Sequence, residues 1–222
     1  MRNAALLCGL VLLGACSRMG TLSSAEPEPP GKASAGVRRV VGTDPGHAGA
    51  GTPLSPRPGD ELAAFAAGCF WGVEDTFRQV PGVVATAVGY SGGTTNFPDY
   101  PAVCSHTTGH AEAVLVEFDP KLVSYATLVN VFFKNHDPTT MNRQGPDVGD
   151  QYRSQIFSFS KEQEALAKQA KAREEGELKT KVSTRIEPMA RFWKAEEYHQ
   201  QYDEKTGTHS CPLPRGLTRQ GT

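Results

Sequence analysis

Every aromatic side chain of this 222-residue chain, 10 Phe, 2 Trp and 6 Tyr, lies at or beyond Phe65. Large flat side chains supply much of the area that a core removes from water, so a segment without them has little to fold around. Residues 17–60 carry 8 Gly, 7 Pro, 5 Ala and 5 Ser and no aromatic residue. Ordering such a backbone costs more free energy than its burial releases. The sequence therefore predicts a disordered linker over 16–60, a folded domain over 61–215, and a tail over 216–222. A domain of that size can bury a core of its own. With 23 Lys+Arg against 24 Asp+Glu, the net charge of −1 argues against a nucleic-acid binder that works by neutralising phosphates. Five cysteines are too few for a disulfide scaffold, and their odd number leaves at least one outside any internal pairing.

The N-terminus reads as a targeting segment over 1–15. Arg2 precedes an uncharged run from Ala4 to Ala15, shorter than the roughly 20 apolar residues that span a bilayer. It fits the hydrophobic region of a secretory signal. The run ends in Leu13-Gly14-Ala15-Cys16, which resembles the lipobox of bacterial lipoproteins. That resemblance implies cleavage before Cys16 and lipidation of its thiol. The chain would then be held in the cell envelope by a lipid anchor, facing the periplasm or the exterior. Plain secretion, with Cys16 incidental, fits the same segment.

Past residue 60 the pattern alternates between strand and helix. Leu62–Gly68 and Val83–Tyr90 read as strands, and Ala111–Phe118 as a third. Phe70, Val73, Phe77 and Val80 recur at helical spacing until Pro81-Gly82. Ser124 caps a helix with apolar positions at Tyr125, Leu128, Val129, Phe132 and Phe133. Residues 137–150 read as a loop. Arg153–Phe159 is expected as a strand, followed by a surface helix from the Ser160/Gln163 capping box to about Glu175, stopped by Gly176. Val182–Ile186 reads as a strand, Phe192–Asp203 as a helix, and the rest as irregular tail. The expected class is α+β: one mixed sheet with helices packed on it, a ferredoxin-like two-layer sandwich.

Gly68-Cys69-Phe70-Trp71-Gly72-Val73-Glu74 places a cysteine where a strand gives way to a helix. Unpaired N–H groups and the helix dipole favour an anion there, which stabilises a thiolate. Two adjacent aromatics offer an apolar cage for a methyl or thioether group. A buried structural cysteine ahead of a core helix fits the same pattern.

These residues resemble the signature of the type A peptide methionine sulfoxide reductases. Further blocks agree in order: Gly89-Tyr90-Ser91-Gly92-Gly93, Tyr100-Pro101-Ala102-Val103-Cys104-Ser105, Thr108-Gly109-His110-Ala111-Glu112, His136-Asp137-Pro138-Thr139, the run 142–154, and the run 192–202. The resemblance implies an enzyme that returns the S-epimer of methionine sulfoxide to methionine, in proteins and as the amino acid. In it Cys69 attacks the sulfoxide sulfur, and Phe70 and Trp71 hold the methyl group. Glu112 protonates the oxygen, Tyr100 and Tyr152 hydrogen-bond around it, and Asp147 orders the polar side. A second cysteine then condenses with the Cys69 sulfenic acid. Cys211 suits that role, although Ser210 and Pro212 flank it in place of the usual glycines. Cys104 is the alternative. The resemblance implies no bound cofactor or metal, a thioredoxin-like reductant, oxidised proteins as substrates, and a monomer.

The Glu112 role has support of its own. Residues two apart in a strand share a face, so Glu112 shares one with Val114, Val116 and Phe118. A carboxyl on an apolar face is expected to stay protonated near neutral pH. A Glu at the strand end that reaches solvent is the plain alternative. Cys104-x-His106-x3-His110 matches no common zinc spacing. A cysteine hydrolase would need His110 or His199 as base, and a surface-anchored binding module would need no reactive thiol.

Overall fold

The computed structural model describes residues 41–210. The signal segment, Cys16, Cys211 and the tail over 216–222 lie outside the described residues. The elements in order are β1 (Glu61–Ala67), α1 (Phe70–Arg78), β2 (Val83–Ser91), α2 (Tyr100–Cys104), β3 (Ala111–Phe118) and α3 (Tyr125–Lys134). They continue with β4 (Arg143–Gln144), β5 (Asp147–Val148), β6 (Ser154–Ser158), α4 (Lys161–Leu178), β7 (Arg185–Pro188), β8 (Phe192–Lys194) and α5 (Tyr202–Thr206).

The large sheet runs β7-β6-β1-β3-β2-β8, and β4 and β5 form a separate hairpin. All pairs in the large sheet are antiparallel except β6 with β7. The class is therefore the expected α+β mixed sheet. On one face, Phe65, Val114, Val116 and Phe118 pack against Phe70, Phe77, Leu128 and Phe132 of α1 and α3. Phe65 stacks on Phe77 with centroids 4.7 Å apart and on Phe132 at 5.5 Å. Such pairs contribute about 0.5–1.5 kcal/mol each beyond their buried area. On the other face, Ala111, Ala113, Leu115 and Phe157 pack with Ala48 and Leu54.

Those last two residues correct the expected boundary. The disordered linker does not extend over 41–60. Glu117, fully buried, accepts from the backbone N–H of Gly46 and of Arg57, each at 2.8 Å, and so fastens this aromatic-free segment to the sheet. Gly42 bridges to Ala85 and Ala50 to Trp193. One buried carboxylate and two short bridges do what aromatic area does elsewhere, and composition does not reveal them.

Three local expectations also change. Phe192–Asp203 is not a helix. Phe192–Lys194 pairs with Gly89–Ser91 as an edge strand, followed by a 3-10 turn over Glu197–His199. The pairing is possible because a Cβ on Gly89 would lie 2.3 Å from the Trp193 carbonyl oxygen. Gly176 does not stop α4, which runs to Leu178 and ends on Lys179 in the left-handed region at φ 52°. The 137–150 loop contains the β4–β5 hairpin, and before β3 the Asp99 Oδ1 accepts the Ala102 N–H and caps the short α2.

Candidate active site around Cys69

Cys69 is the N-cap of α1, half-buried, with its backbone still extended at φ −54°, ψ 119°. Gly68 before it adopts φ +100°, and a Cβ there would meet the Gln144 side chain at 2.7 Å. Glycine is thus required on two counts: the left-handed backbone, and the close approach of the β4–β5 hairpin that also carries Asp147.

Glu112 reaches the same helix end from the sheet. The Phe70 N–H donates to Glu112 Oε2 at 3.0 Å. The first N–H of a helix has no partner within the helix, and the carboxyl supplies one. Glu112 is 2 % exposed, opposite Tyr90 in the β2–β3 ladder and on the face of Val114 and Val116, as strand alternation predicts.

Phe70 is buried and Trp71 half-buried, with ring centroids 6.4 Å apart. Trp71 is fixed on two sides: its ring stacks on Tyr202 at 4.0 Å, and its Nε1–H donates to His199 Nδ1 at 3.0 Å. Neutral His199 therefore carries its proton on Nε2, which is buried without a hydrogen-bond partner. Burial holds His199 below the usual imidazole range, against the opposing pull of the Glu196 carboxylate.

The two expected tyrosines converge on this centre. Burial pushes the Tyr152 hydroxyl upward, and the charges of Glu112, Asp147, Cys104 and Cys69 add to the shift. Burial also raises Tyr100, followed by its hydrogen bond with Cys104 and the charges of Cys104, Glu112 and Tyr152. Both phenols remain neutral donors across the physiological range. Burial likewise raises Asp147. Tyr100, Glu112, Asp147 and Tyr152, far apart in sequence, thus act on one another electrostatically, and Glu112 bonds the head of α1 next to Cys69. Cys104 stands beside Tyr100. Cys211, assigned to the same chemistry, lies outside the described residues.

Sequence reasoning missed the residues that hold this shell. Glu196 accepts from the Tyr90 hydroxyl at 2.8 Å and from the Tyr100 N–H at 2.9 Å, joining β2 to α2. Burial raises its pKa, but these hydrogen bonds and its own N–H outweigh that and hold it below the usual carboxylate value. His199, which a hydrolase reading would use as a base, orients Trp71 instead, and Tyr202 backs it. The signals available were the polar-aromatic density of Glu196 to Tyr202 and the place of that stretch in the run 192–202 that carries the resemblance. His110, considered as a base, has both nitrogens engaged: Nδ1 accepts from Gly93 N–H at 3.1 Å and Nε2 donates to Thr95 O at 2.8 Å. A cavity of about 310 Å³ near His110 and Trp193 includes none of the residues assigned to this site.

Comparison with known proteins bears on this arrangement. Residues 61–221 match the family model described as peptide methionine sulfoxide reductase. The peptide methionine sulfoxide reductase MsrA of Methanoculleus marisnigri is 54% identical over 160 residues, 71% of this chain and 98% of that protein. The crystal structure of Mxr1 from Saccharomyces cerevisiae in reduced form superimposes with a TM-score of 0.67 at 37% identity, covering 70% of this chain and 91% of that one. Mxr1 in complex with Trx2 matches with a TM-score of 0.50 at 28% identity, over 71% and 89% of the two chains.

Proposed function

The chain belongs to the peptide methionine sulfoxide reductases of type A, oxidoreductases that return methionine sulfoxide to methionine, and from that premise we propose a Cys69-centred reduction of the S-epimer. The observation that carries it is the 3.0 Å bond from Phe70 N–H to Glu112, which ties the acid to the residue next to the thiol.

The substrate methyl group lies against Phe70 and Trp71, and the sulfoxide oxygen points toward Glu112, Tyr100 and Tyr152. The Cys69 sulfur attacks the sulfoxide sulfur while Glu112 gives a proton to the oxygen. The oxygen passes to Cys69, leaving a sulfenic acid, and methionine departs. Cys211 then attacks the sulfenic sulfur, water leaves, and a Cys69–Cys211 disulfide remains. Asp147 orders the polar side of the pocket. Cys104, beside Tyr100, is the alternative resolving thiol.

A dithiol reductant of the thioredoxin type returns the enzyme to its starting state by exchange. The Mxr1 complex with Trx2 supports this reading. In this reading the sequence over 1–15 acts as a leader, lipidation at Cys16 would anchor the chain, and a monomeric catalytic domain would work in the cell envelope. Its reductant must then be a thioredoxin-like protein on the same side of the membrane.

The test presents peptides bearing the separated S and R sulfoxides, with dithiothreitol. The reading expects the S peptide alone to lose the mass of one oxygen. Loss from the R peptide at a similar rate overturns the epimer assignment.

A further inference from the structure

The 3-10 turn Glu197–His199, which follows β8, leaves one aromatic side chain in water beside the site. The residues of that turn differ in their surroundings. Glu197 is exposed, and its carboxylate meets Lys194 at 3.9 Å and Lys205 at 3.5 Å. His199 is buried, and its ring centroid lies 5.1 Å from that of Phe70, 5.6 Å from Trp71 and 4.6 Å from Tyr100. Tyr198, between them in the chain, packs on the His199 ring at 4.1 Å and is 58 % exposed. A single exposed aromatic is ordinary on a protein surface. This one differs because the ring beneath it is the one that orients Trp71 through a 3.0 Å bond.

A carboxylate stands close to that ring. Asp99 is exposed and caps α2, its Oδ1 accepting the Ala102 N–H at 2.9 Å. The next residue is Tyr100, whose ring also packs on His199. Slight burial raises the Tyr198 hydroxyl, and the charges of Glu196, Cys104 and Asp99 raise it further. Tyr198 therefore stands in negative surroundings. Glu196, half-buried, is committed to the Tyr90 hydroxyl and the Tyr100 N–H, and Glu197 is met by its two lysines. Asp99 is the exposed carboxylate among the groups that act on Tyr198.

We propose that Tyr198, with Asp99 beside it, selects the residue that flanks the methionine sulfoxide, and that it takes the side chain of an arginine or a lysine. This rests on the Cys69-centred reading, in which the sulfoxide side chain lies against Phe70 and Trp71. Neighbouring Cα atoms in a polypeptide are ~3.8 Å apart, so a substrate held there carries its flanking residues over the rim that Tyr198 forms. An acidic neighbour would meet the like charges of Asp99 and Glu196. An aliphatic neighbour would cover the ring but strip water from Asp99 and return no hydrogen bond. A cation lies over the electron-rich ring face, covers it with its methylene stem, and brings N–H donors to the carboxylate. Of these, the cation alone satisfies both the ring and the charge.

The experiment is steady-state reduction by the full chain, with dithiothreitol, of S-sulfoxide peptides that carry arginine, glutamine or glutamate on both sides of the methionine sulfoxide. The readout is the ratio of kcat/KM between peptides. Wild type should favour arginine over glutamine by about fivefold, through KM with kcat little changed, and should disfavour glutamate. Tyr198→Ala should bring the arginine-to-glutamine ratio below about twofold, and because it changes no charge, that loss separates the ring from the general field of the protein. Tyr198→Phe keeps the ring and should keep most of the preference. Asp99→Asn caps α2 as well as Asp does and removes the charge, so it should also lower the ratio below about twofold. It carries the test if Tyr198→Ala does not fold. A wild-type ratio near one, a preference expressed in kcat rather than KM, or a wild-type ratio retained in either Tyr198→Ala or Asp99→Asn overturns the proposal. Failure of wild type to reduce any of the peptides overturns the sulfoxide-reduction reading itself, a separate outcome.

Discussion

The backbone N–H of Phe70 donates to the Glu112 carboxyl at 3.0 Å, across 42 residues of sequence. A strand that must keep its apolar face inward thus delivers a carboxyl to the N-terminus of a helix, next to the residue that caps it. Replacing Glu112 by Gln keeps the hydrogen-bond acceptor and removes the acid. Single-turnover methionine formation should slow by roughly 10²-fold or more, the usual cost of losing a general acid, with a smaller change in substrate affinity. A wild-type single-turnover rate removes Glu112 from the mechanism.

Trp71 is held by a stack on Tyr202 and a bond to His199 Nδ1. Trp71→Ala removes the pocket wall and leaves a buried nitrogen without its donor, so kcat/KM should fall about 10²-fold. Trp71→Phe keeps the stack and loses only the bond and part of the wall, with a fall of about tenfold. Steady-state kinetics on one peptide checks the order of the two variants. Equal values for wild type and Trp71→Ala would place the methyl group elsewhere.

Much of this was legible in the sequence, for reasons that differ by residue. Strand alternation placed Glu112 on the face of Val114 and Phe118, and the strand-to-helix change placed Cys69 at a helix start. Ser124 and Ser160 cap their helices as their positions suggest, accepting the N–H three residues on. Long-range polar contacts were not legible. Glu117 holds Gly46, and Glu196 holds Tyr90 and Tyr100, and each depends on a tertiary approach that no local pattern encodes. For β8 the strand-favouring Phe192 and Trp193 were a usable local signal, and pairing with Gly89–Ser91 fixes the strand.

His136 gives a pH test of the fold. It is fully enclosed, its Nδ1–H donating to Phe132 O and its Nε2 accepting from Ser154, each at 2.7 Å. Burial lowers its pKa to about 4, from an ordinary value of 6.5. The unfolded chain therefore binds this proton first, so the stabilising contribution is complete above pH 6.5 and is lost as pH falls toward 4. At 1.36 kcal/mol per unit the loss is about 3 kcal/mol. Urea unfolding of wild type and His136→Gln across that range should show the extra loss in wild type alone, and parallel curves would refute it.

Cys211→Ser should keep one fast turnover per enzyme, since sulfoxide attack needs only Cys69 and its pocket. The sulfenic acid then waits for an outside thiol. Dithiothreitol should enter and restore turnover in part, while thioredoxin should regenerate the variant poorly. Burst experiments with each reductant distinguish the cases. Wild-type turnover with thioredoxin would transfer the resolving role to Cys104 or to the reductant itself.

The central claim is that the Cys69 sulfur takes the sulfoxide oxygen, and Cys69→Ser tests it most directly. A hydroxyl is a far weaker nucleophile toward sulfur, and serine at this helix cap offers no thiolate. With an S-sulfoxide peptide and dithiothreitol, mass spectrometry should find the peptide lighter by one oxygen after incubation with wild type and unchanged with Cys69→Ser. Conversion of the peptide by Cys69→Ser at a rate comparable to wild type would contradict the account.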